Sequence, residues 1–320
     1  MEYTVIGNTD LKASRLCLGG MSFGNSKWMA DEENSIKIIK KAIDYGINYI
    51  DTANIYSNGK SEEIIGKAIN GYRDDLIIST KGAGKMNDFY YGFNNKYLNK
   101  AINDSLKRLK TDYIDIYYLH TMLDNIDMKV TLKTLDNNIK NNKINYLGAS
   151  NFSGYQLAEF FTLSSELFNN RIEMVQNHYN AVYREDENGV IPFCKKKGIE
   201  YSPFSPLAAG FLSGKYRRNE NNESIRTESY PVMKKRYFKD YDFDVLDNII
   251  EISKEKGVKP VNIALAYLLK KGFLPVIGVT RIEYLEDNIN SLDVNLNNDD
   301  MERIEEKYIP HNIIKGTAGY

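Results

Sequence analysis

The sequence predicts an α/β protein, a (β/α)8 TIM barrel, from the number of its strands and from what lies between them. Amphipathic helical patterns separate short β-rich runs, and strands that alternate with helices are joined by crossovers and lie parallel. Eight such units in 320 residues match the size of this barrel, so residues 1–320 are expected to form one domain. The predicted strands are residues 15–18, 47–51, 76–80, 113–119, 144–148, 172–176, 199–203 and 273–277.

A recurring glycine marks the change from helix to strand. Residues 35–43 repeat apolar side chains at helical spacing and are followed by Gly46 and then by the second predicted strand. The same order recurs at Gly198 and Gly272. Because glycine suits the left-handed position after a helix, each of these glycines predicts a helix end. A hairpin is also expected before the first strand, with its turn at residues 8–10.

The alternative fold is a doubly wound nucleotide-binding sheet, which carries a G-x-G-x-x-G fingerprint after a strand. The nearest match begins at Gly82 and has Asn87 in place of the third glycine, which favours the barrel. Residues 84–95 and 216–241 do not fit the repeat and are expected to lie over the C-terminal face, where barrels build ligand sites. The second stretch looks aperiodic, and its basic cluster at 234–236 is interpreted as solvated surface.

Composition excludes several classes of protein. The 42 Lys and Arg balance 43 Asp and Glu, so the net charge of -1 gives no field that would attract nucleic acid or an anionic membrane. Two Cys and three His argue against a disulfide framework or a zinc site, and no metal is expected. With neither a signal peptide nor an apolar run of about 18 residues, the sequence predicts a soluble cytoplasmic protein.

Four polar residues are placed where a barrel could bring them together. Asp51, Lys81 and His120 lie at the ends of predicted strands, and Tyr56 follows Asp51 in the next loop. The C-terminal ends of barrel strands converge on one mouth, so these side chains are expected to meet there. Taken singly, each also has a structural explanation: a turn cap for Asp51, a solvated strand edge for Lys81, and core packing for the two ring side chains.

The segments around these residues resemble the aldo-keto reductase family. Residues 46–56 read G-I-N-Y-I-D-T-A-N-I-Y and are similar to the family signature, in which Gly is followed five residues later by Asp-Thr-Ala and then by Tyr. Residues 77–81, I-I-S-T-K, and 115–120, D-I-Y-Y-L-H, are similar to the segments that carry the family's Lys and His. The likeness runs from residue 2 to about residue 290, with further ordered matches at 18–24, 148–152, 176–180, 205–207 and 277–288.

The resemblance implies an oxidoreductase that reduces a carbonyl without a metal. A tyrosine with a pKa of about 10 is a weak acid, and a neighbouring ammonium from Lys81 would stabilise its phenolate. Asp51 would keep Lys81 charged and oriented, while His120 would position the carbonyl oxygen. Tyr56 is thereby expected to be the proton donor.

The reductant implied by the resemblance is a nicotinamide, with NADPH preferred because Arg281 is a suitable partner for a 2′-phosphate. Phe204 would stack on the nicotinamide ring, with Tyr201 as the alternative. The other cofactor-binding positions that the resemblance implies are Gly20, Met21, Asp51, Ser150, Asn151, Gln176, Ser205, Leu207, Lys215, Gly278, Thr280, Tyr284, Asp287 and Asn288.

The expected substrate is a small or medium aldehyde or ketone. Its predicted rim is aromatic and not strongly basic, formed by Trp28, Tyr56, Phe89, Tyr90 and Tyr91, with His120 beside them. One alternative is a Schiff-base aldolase that uses Lys81, which Asp51 disfavours by holding the lysine charged. Another is a nicotinamide-binding regulatory subunit, similar to the potassium-channel β subunits of the same superfamily.

Overall fold

The computed structural model describes residues 1–24, 26–82, 94–122, 126–168, 172–220 and 222–312. Ten strands occur in this part of the chain. They are β1 (Tyr3–Val5), β2 (Lys12–Ser14), β3 (Cys17–Gly19), β4 (Tyr49–Asp51), β5 (Ile77–Gly82), β6 (Ile114–Leu119), β7 (Ile144–Ser150), β8 (Ile172–His178), β9 (Glu200–Phe204) and β10 (Val276–Gly278).

Strands β3 to β10 form one parallel sheet in the order β10-β3-β4-β5-β6-β7-β8-β9. The two ends of this order also meet, because the Leu274 amide donates to the Tyr201 carbonyl at 3.1 Å and the Ser202 hydroxyl donates to the Leu274 carbonyl at 2.7 Å. The predicted barrel is therefore confirmed, and each of its eight predicted strands overlaps an observed one.

Helices cover the outside of the barrel, and the expected signals set their ends. Asp31 accepts from the Asn34 amide at the start of the first helix, and Gly46, Gly198 and Gly272 have φ of +85°, +67° and +85°, as their places before strands predict. The α-helices are α1 (Glu32–Asp44), α2 (Lys60–Ala68), α3 (Asn95–Leu109), α4 (Met128–Lys140), α5 (Gly154–Phe168), α6 (Val190–Lys197), α7 (Ile225–Ser229), α8 (Val232–Tyr237), α9 (Asp240–Lys256), α10 (Pro260–Lys270), α11 (Ile282–Ile289) and α12 (Asn298–Glu305).

The N-terminal hairpin fixes which end of the barrel can hold a site. Strands β1 and β2 pair antiparallel, as predicted, and Ile6 in their connection packs into a buried cluster with Tyr49, Tyr118 and Met174. Tyr49 and Tyr118 share a hydrogen bond of 3.0 Å between their hydroxyls. Buried side chains thus fill this part of the molecule, and the strand C-terminal ends, here called the mouth, remain for a ligand.

The region over the mouth differs from its prediction in one respect. Residues 216–241 contain α7, α8 and the start of α9, so this stretch is not aperiodic. In α8 the side chains of Met233, Arg236 and Tyr237 are buried at i, i+3 and i+4 spacing. The interpretation of 234–236 as solvated surface is therefore wrong for Arg236. None of the described helices is long and apolar enough to cross a membrane.

Candidate active site at the barrel mouth

A buried ion pair joins the ends of two neighbouring strands. Asp51 ends β4 and Lys81 lies near the end of β5, and their side chains are 2% and 1% exposed. The Lys81 ammonium donates to Asp51 Oδ2 at 2.5 Å and to the Thr52 carbonyl at 2.7 Å, while the Ser79 hydroxyl donates to Asp51 Oδ1 at 2.7 Å. Both carboxylate oxygens are thus engaged, and the ammonium is held in a fixed direction.

Tyr56 reaches this ion pair because its loop stays attached to β5. The amides of Thr52 and Asn54 donate to the carbonyls of Ser79 and Lys81 at 2.9 and 3.1 Å, so the chain after β4 follows the neighbouring strand. Tyr56 then opens a short 3-10 turn, and the Lys81 ammonium lies 5.2 Å from the centroid of its ring. This distance brings the phenol into the field of the ammonium.

His120 completes the group from the next strand. It directly follows β6, its amide donates to the Gly82 carbonyl at 2.9 Å, and its ring meets the Tyr56 ring edge-on with centroids 5.9 Å apart. The structure therefore brings the four predicted polar residues together.

The charge state of His120 follows from its surroundings. Burial, together with the nearby Lys81 ammonium, lowers the pKa of His120 to about 3. The imidazole is therefore neutral near pH 7, with one N–H donor and one acceptor nitrogen. Its buried Nδ1 has no hydrogen-bond partner among the described residues. A neutral ring of this kind can donate to or accept from a ligand oxygen without adding a second positive charge.

Amide side chains line the opposite part of the mouth. Ser150 on β7 pairs in register with Gln176 on β8, and Gln176 with Ser202 on β9, so the three lie in one row. Asn151, at φ +57°, donates to the His120 carbonyl at 2.9 Å. The buried Nε2 of Gln176 has no partner in the described part of the chain. A ligand with an amide or carbonyl oxygen could accept a hydrogen bond from this donor.

The last strand places the two candidate stacking rings differently. Tyr201 is 4% exposed, packs on Tyr179 and Phe273, and donates to Asp186 Oδ2 at 2.8 Å. Phe204 ends β9 at the mouth and is half-buried. Of the two rings, only that of Phe204 lies where a ligand in the mouth could contact it.

His178 supports the Phe204 ring, and the sequence reasoning missed it. The imidazole stacks between Phe204 and Tyr183 at centroid distances of 5.4 and 4.1 Å, and its Nε2 shares a 2.5 Å hydrogen bond with the Tyr237 hydroxyl. Burial lowers the pKa of His178, so this ring is neutral. The available signal was its place two residues after the predicted strand at 172–176, which the observed β8 extends to His178.

The segment after β10 presents an exposed cation. Arg281 is the N-cap residue of α11, its guanidinium lies 5.9 Å from the centroid of the exposed Tyr284 ring, and it makes no ion pair with any described residue. Thr280 is half-buried beside it, and Gly278 is exposed. Asn288 is buried in the same helix.

The remaining predicted cofactor-binding residues differ in their exposure and in the contacts that they already make. Asp287 is bound by Lys259 at 2.6 Å, whereas Lys215 is exposed with its ammonium over the Tyr216 ring. Gly20 is buried, and a Cβ atom there would lie 2.7 Å from the Ser61 hydroxyl and 3.1 Å from the Asp51 carbonyl oxygen. Met21 is exposed, while Ser205 and Leu207 are half-buried after β9.

The predicted aromatic rim is described only in part. Phe89 and Tyr90, with their neighbours at 83–93, lie outside the described residues. Trp28, on the loop between β3 and α1, carries the guanidinium of Arg226 at 3.7 Å from its ring centroid. Helix α7 thus brings one cation onto the described part of the rim, a contact that sequence spacing did not reveal.

Comparison with known proteins agrees with this architecture. The chain belongs to the aldo/keto reductase family, whose sequence profile matches residues 15–309. It is an oxidoreductase family that acts on small carbonyl compounds and generally uses NAD(P)H.

Individual relatives cover nearly the whole chain. The chain is 32% identical to an aldo-keto reductase of Fusarium vanettenii, over 98% of the chain and 92% of that protein. It is 28% identical to versiconal hemiacetal acetate reductase of Aspergillus parasiticus, over 99% of both proteins. The crystal structure of a thermostable aldo-keto reductase in complex with the inhibitor epalrestat superimposes with a TM-score of 0.77 at 26% identity, covering 96% of this chain and 100% of that one.

Proposed function

We propose that the protein reduces small or medium aldehydes and ketones to alcohols, with NADPH as the reductant and Tyr56 as the proton donor. The observation that carries the proposal is the buried ion pair of Lys81 and Asp51 beside the Tyr56 ring, with a neutral His120 facing it. When bound, the cofactor supplies a hydride to the carbonyl carbon.

Tyr56 supplies the proton that the carbonyl oxygen needs as it becomes an alkoxide. Losing that proton leaves a phenolate, which the Lys81 ammonium stabilises from within the same buried pocket. Opposite charges about 5 Å apart attract by about 3 kcal/mol at an effective dielectric of about 20, and Asp51 offsets part of this attraction. Asp51 in return keeps Lys81 in place, so the ammonium needs no rearrangement during the reaction.

His120 orients the carbonyl oxygen. Its ring meets Tyr56 edge-on, so an oxygen that accepts from the phenol lies near the imidazole as well. Because the imidazole is neutral, the positive charge of the site stays on Lys81, behind the phenol that must ionise. This arrangement favours proton donation by Tyr56 over donation by His120.

The residues that would hold the cofactor run across the mouth from β7 to α11. Ser150, Asn151 and Gln176 would bind the carboxamide, a role supported by the Nε2 of Gln176, for which the described part of the chain offers no partner. Phe204, held by His178, would stack on the nicotinamide ring. Arg281 would bind the 2′-phosphate at the N-terminus of α11, where helix amides also favour negative charge. The rest of the proposed set is Gly20, Met21, Asp51, Ser205, Leu207, Lys215, Gly278, Thr280, Tyr284, Asp287 and Asn288.

A screen tests the proposal directly. The purified protein is mixed with NADPH or NADH and a panel of aliphatic and aromatic aldehydes and ketones, and loss of the reduced nicotinamide absorbance is followed. We expect several aldehydes to be reduced. At low cofactor concentration, the rate should be higher with NADPH than with NADH. Tight NADPH binding without oxidation by any carbonyl would instead favour the regulatory-subunit alternative.

The aldolase alternative is disfavoured by the contacts of Lys81. A Schiff base requires a free amine lone pair, and this ammonium is bound by a carboxylate and a carbonyl oxygen. Borohydride trapping of a carbonyl compound on Lys81 would overturn this view, and an unmodified Lys81 after the same treatment agrees with the reductase.

A further inference from the structure

Arg226 carries a positive charge that no described acidic group compensates. Its guanidinium stacks on Trp28 at 3.7 Å and lies 5.1 Å from the centroid of the Tyr230 ring. Among the described residues, its buried Nη1 has no hydrogen-bond partner and the guanidinium forms no ion pair. The titratable groups around it in the described part of the chain are the phenols of Tyr230, Tyr216 and Tyr237, and burial lowers the pKa of the arginine.

Contacts on both sides place this arginine over the mouth. Trp28 belongs to the loop after β3, and the Phe23 carbonyl of that loop accepts from Ser57, the residue next to Tyr56, at 3.1 Å. On the other side, the Tyr230 hydroxyl accepts from Arg236 Nη1 at 3.0 Å.

The hydrogen bond between Arg236 and Tyr230 connects Arg226 with Phe204, the candidate stacking ring for the nicotinamide. Arg236 lies on α8 beside Tyr237, whose hydroxyl is bound to His178, the ring that stacks on Phe204. Arg226 is therefore linked through neighbouring residues to both the Tyr56 side of the mouth and the Phe204 side.

A guanidinium in these surroundings needs an anion. Removing a cation from water is costly unless hydrogen bonds and an opposite charge replace the water, and aromatic stacking replaces only part of it. Arg presents a planar fork that matches a carboxylate with two parallel hydrogen bonds. The aromatic faces beside it suit a ligand whose anionic group is attached to an apolar body.

We propose that Arg226 binds a carboxylate carried by the substrate, so that the preferred substrates are aldehydes with an aromatic or apolar body and a carboxylate remote from the carbonyl. This assignment rests on the proposed carbonyl reduction. The other anion that could reach the mouth is the pyrophosphate of the cofactor. A substrate carboxylate and a cofactor pyrophosphate at Arg226 predict different kinetic effects of removing this arginine.

The kinetic test compares 4-carboxybenzaldehyde with its methyl ester, which keeps the ring and the carbonyl and removes the charge. We expect wild type to prefer the acid. Arg226→Gln should lower kcat/KM for the acid about tenfold or more and leave the ester nearly unchanged, because only a charge-assisted contact is lost. Arg218→Gln, on the same segment and paired with Asp244, is the matched control and should change neither. Equal losses on both aldehydes, with a higher KM for NADPH, would assign Arg226 to the cofactor and overturn the proposal.

A binding measurement keeps the test independent of turnover. Trp28 is the only tryptophan of the chain, so tryptophan fluorescence reports on the ring that Arg226 covers. We expect benzoate, without cofactor, to change this fluorescence saturably in wild type but not in Arg226→Gln, and neutral benzamide to change it in neither. Absence of a benzoate response in folded wild type would overturn the carboxylate site, whereas a response in a protein that turns over no aldehyde would refute only the reductase.

Discussion

Two cations border the same mouth and differ in what surrounds their charge. Lys81 is completely buried, and a carboxylate and a backbone carbonyl accept its hydrogen bonds. Arg226 is partly buried against aromatic rings, with no described acidic partner. An internally compensated cation is held at one position before any ligand arrives. A cation without an acidic partner can still form hydrogen bonds with a ligand. Lys81 is therefore suited to the chemical step and Arg226 to ligand recognition.

The largest expected effect is the loss of the compensated cation or of its phenol. Lys81→Met and Tyr56→Phe should each lower kcat by about two orders of magnitude or more, because proton donation to the developing alkoxide is lost while the binding surface remains. Single-turnover kinetics with saturating NADPH measure the chemical step directly. Tyr72→Phe, at an exposed position, is the control. Near-normal kcat in either site variant would remove the basis of the proposed mechanism.

Arg281 is a third cation, exposed at the start of α11, and its removal should alter cofactor choice. Arg281→Ala should lower the ratio of NADPH to NADH affinity about tenfold or more, since the 2′-phosphate loses a charge-assisted contact while NADH never made it. Fluorescence titration with both cofactors gives the ratio. Arg303→Ala, which breaks an exposed pair with Glu255, should leave it unchanged. If both affinities fall equally in Arg281→Ala, this arginine is structural.

Removal of the Phe204 ring should have a smaller effect than removal of Arg281, and it should act on cofactor affinity. Phe204→Ala should weaken NADPH binding by about 1 kcal/mol or more through lost stacking and burial. Tyr201→Phe removes only the hydrogen bond to Asp186 and should leave cofactor affinity unchanged. Isothermal titration of folded variants gives both values. Unchanged NADPH affinity in folded Phe204→Ala would show that Phe204 does not stack on the nicotinamide.

The smallest expected effect is that of pH on His120. Because its pKa is about 3, the residue stays neutral, and kcat should show no inflection from it between about pH 5 and 7. The effect on stability has a definite sign. A histidine with a pKa of about 6.5 when unfolded binds a proton that the folded protein excludes, so the free energy of unfolding falls as pH drops from about 6.5 towards 3. His120→Gln should make that fall shallower in urea titrations. If the free energy of unfolding falls with pH equally steeply in His120→Gln and in wild type, burial does not lower the pKa of His120.

The group of Lys81 and three neighbours, Asp51, Tyr56 and His120, could be predicted because each lies at or soon after the C-terminal end of a strand, and these strand ends share one location in a barrel. The buried face of α8 also had a local signal in the spacing of Met233, Arg236 and Tyr237, although the charges around it concealed the pattern. The contact between Arg226 and Trp28 had none, since it joins a five-residue helix to a loop some two hundred residues earlier. Such a contact depends on how a long connection folds back over the barrel, which short-range periodicity does not encode.

The closure of the barrel has a consequence for how the chain reaches its native state. Strand β3 pairs with β10, so Cys17 and Leu18 must find Val276 and Ile277 after nearly all of the chain has left the ribosome. Until then β3 and β9 remain open edges with apolar, hydrogen-bonding backbones, the kind of surface on which chains associate with one another. Pairing between such distant segments also slows folding. Substitutions that weaken β10 are therefore expected to lower the yield of soluble protein during synthesis more than they lower the activity of the molecules that have closed.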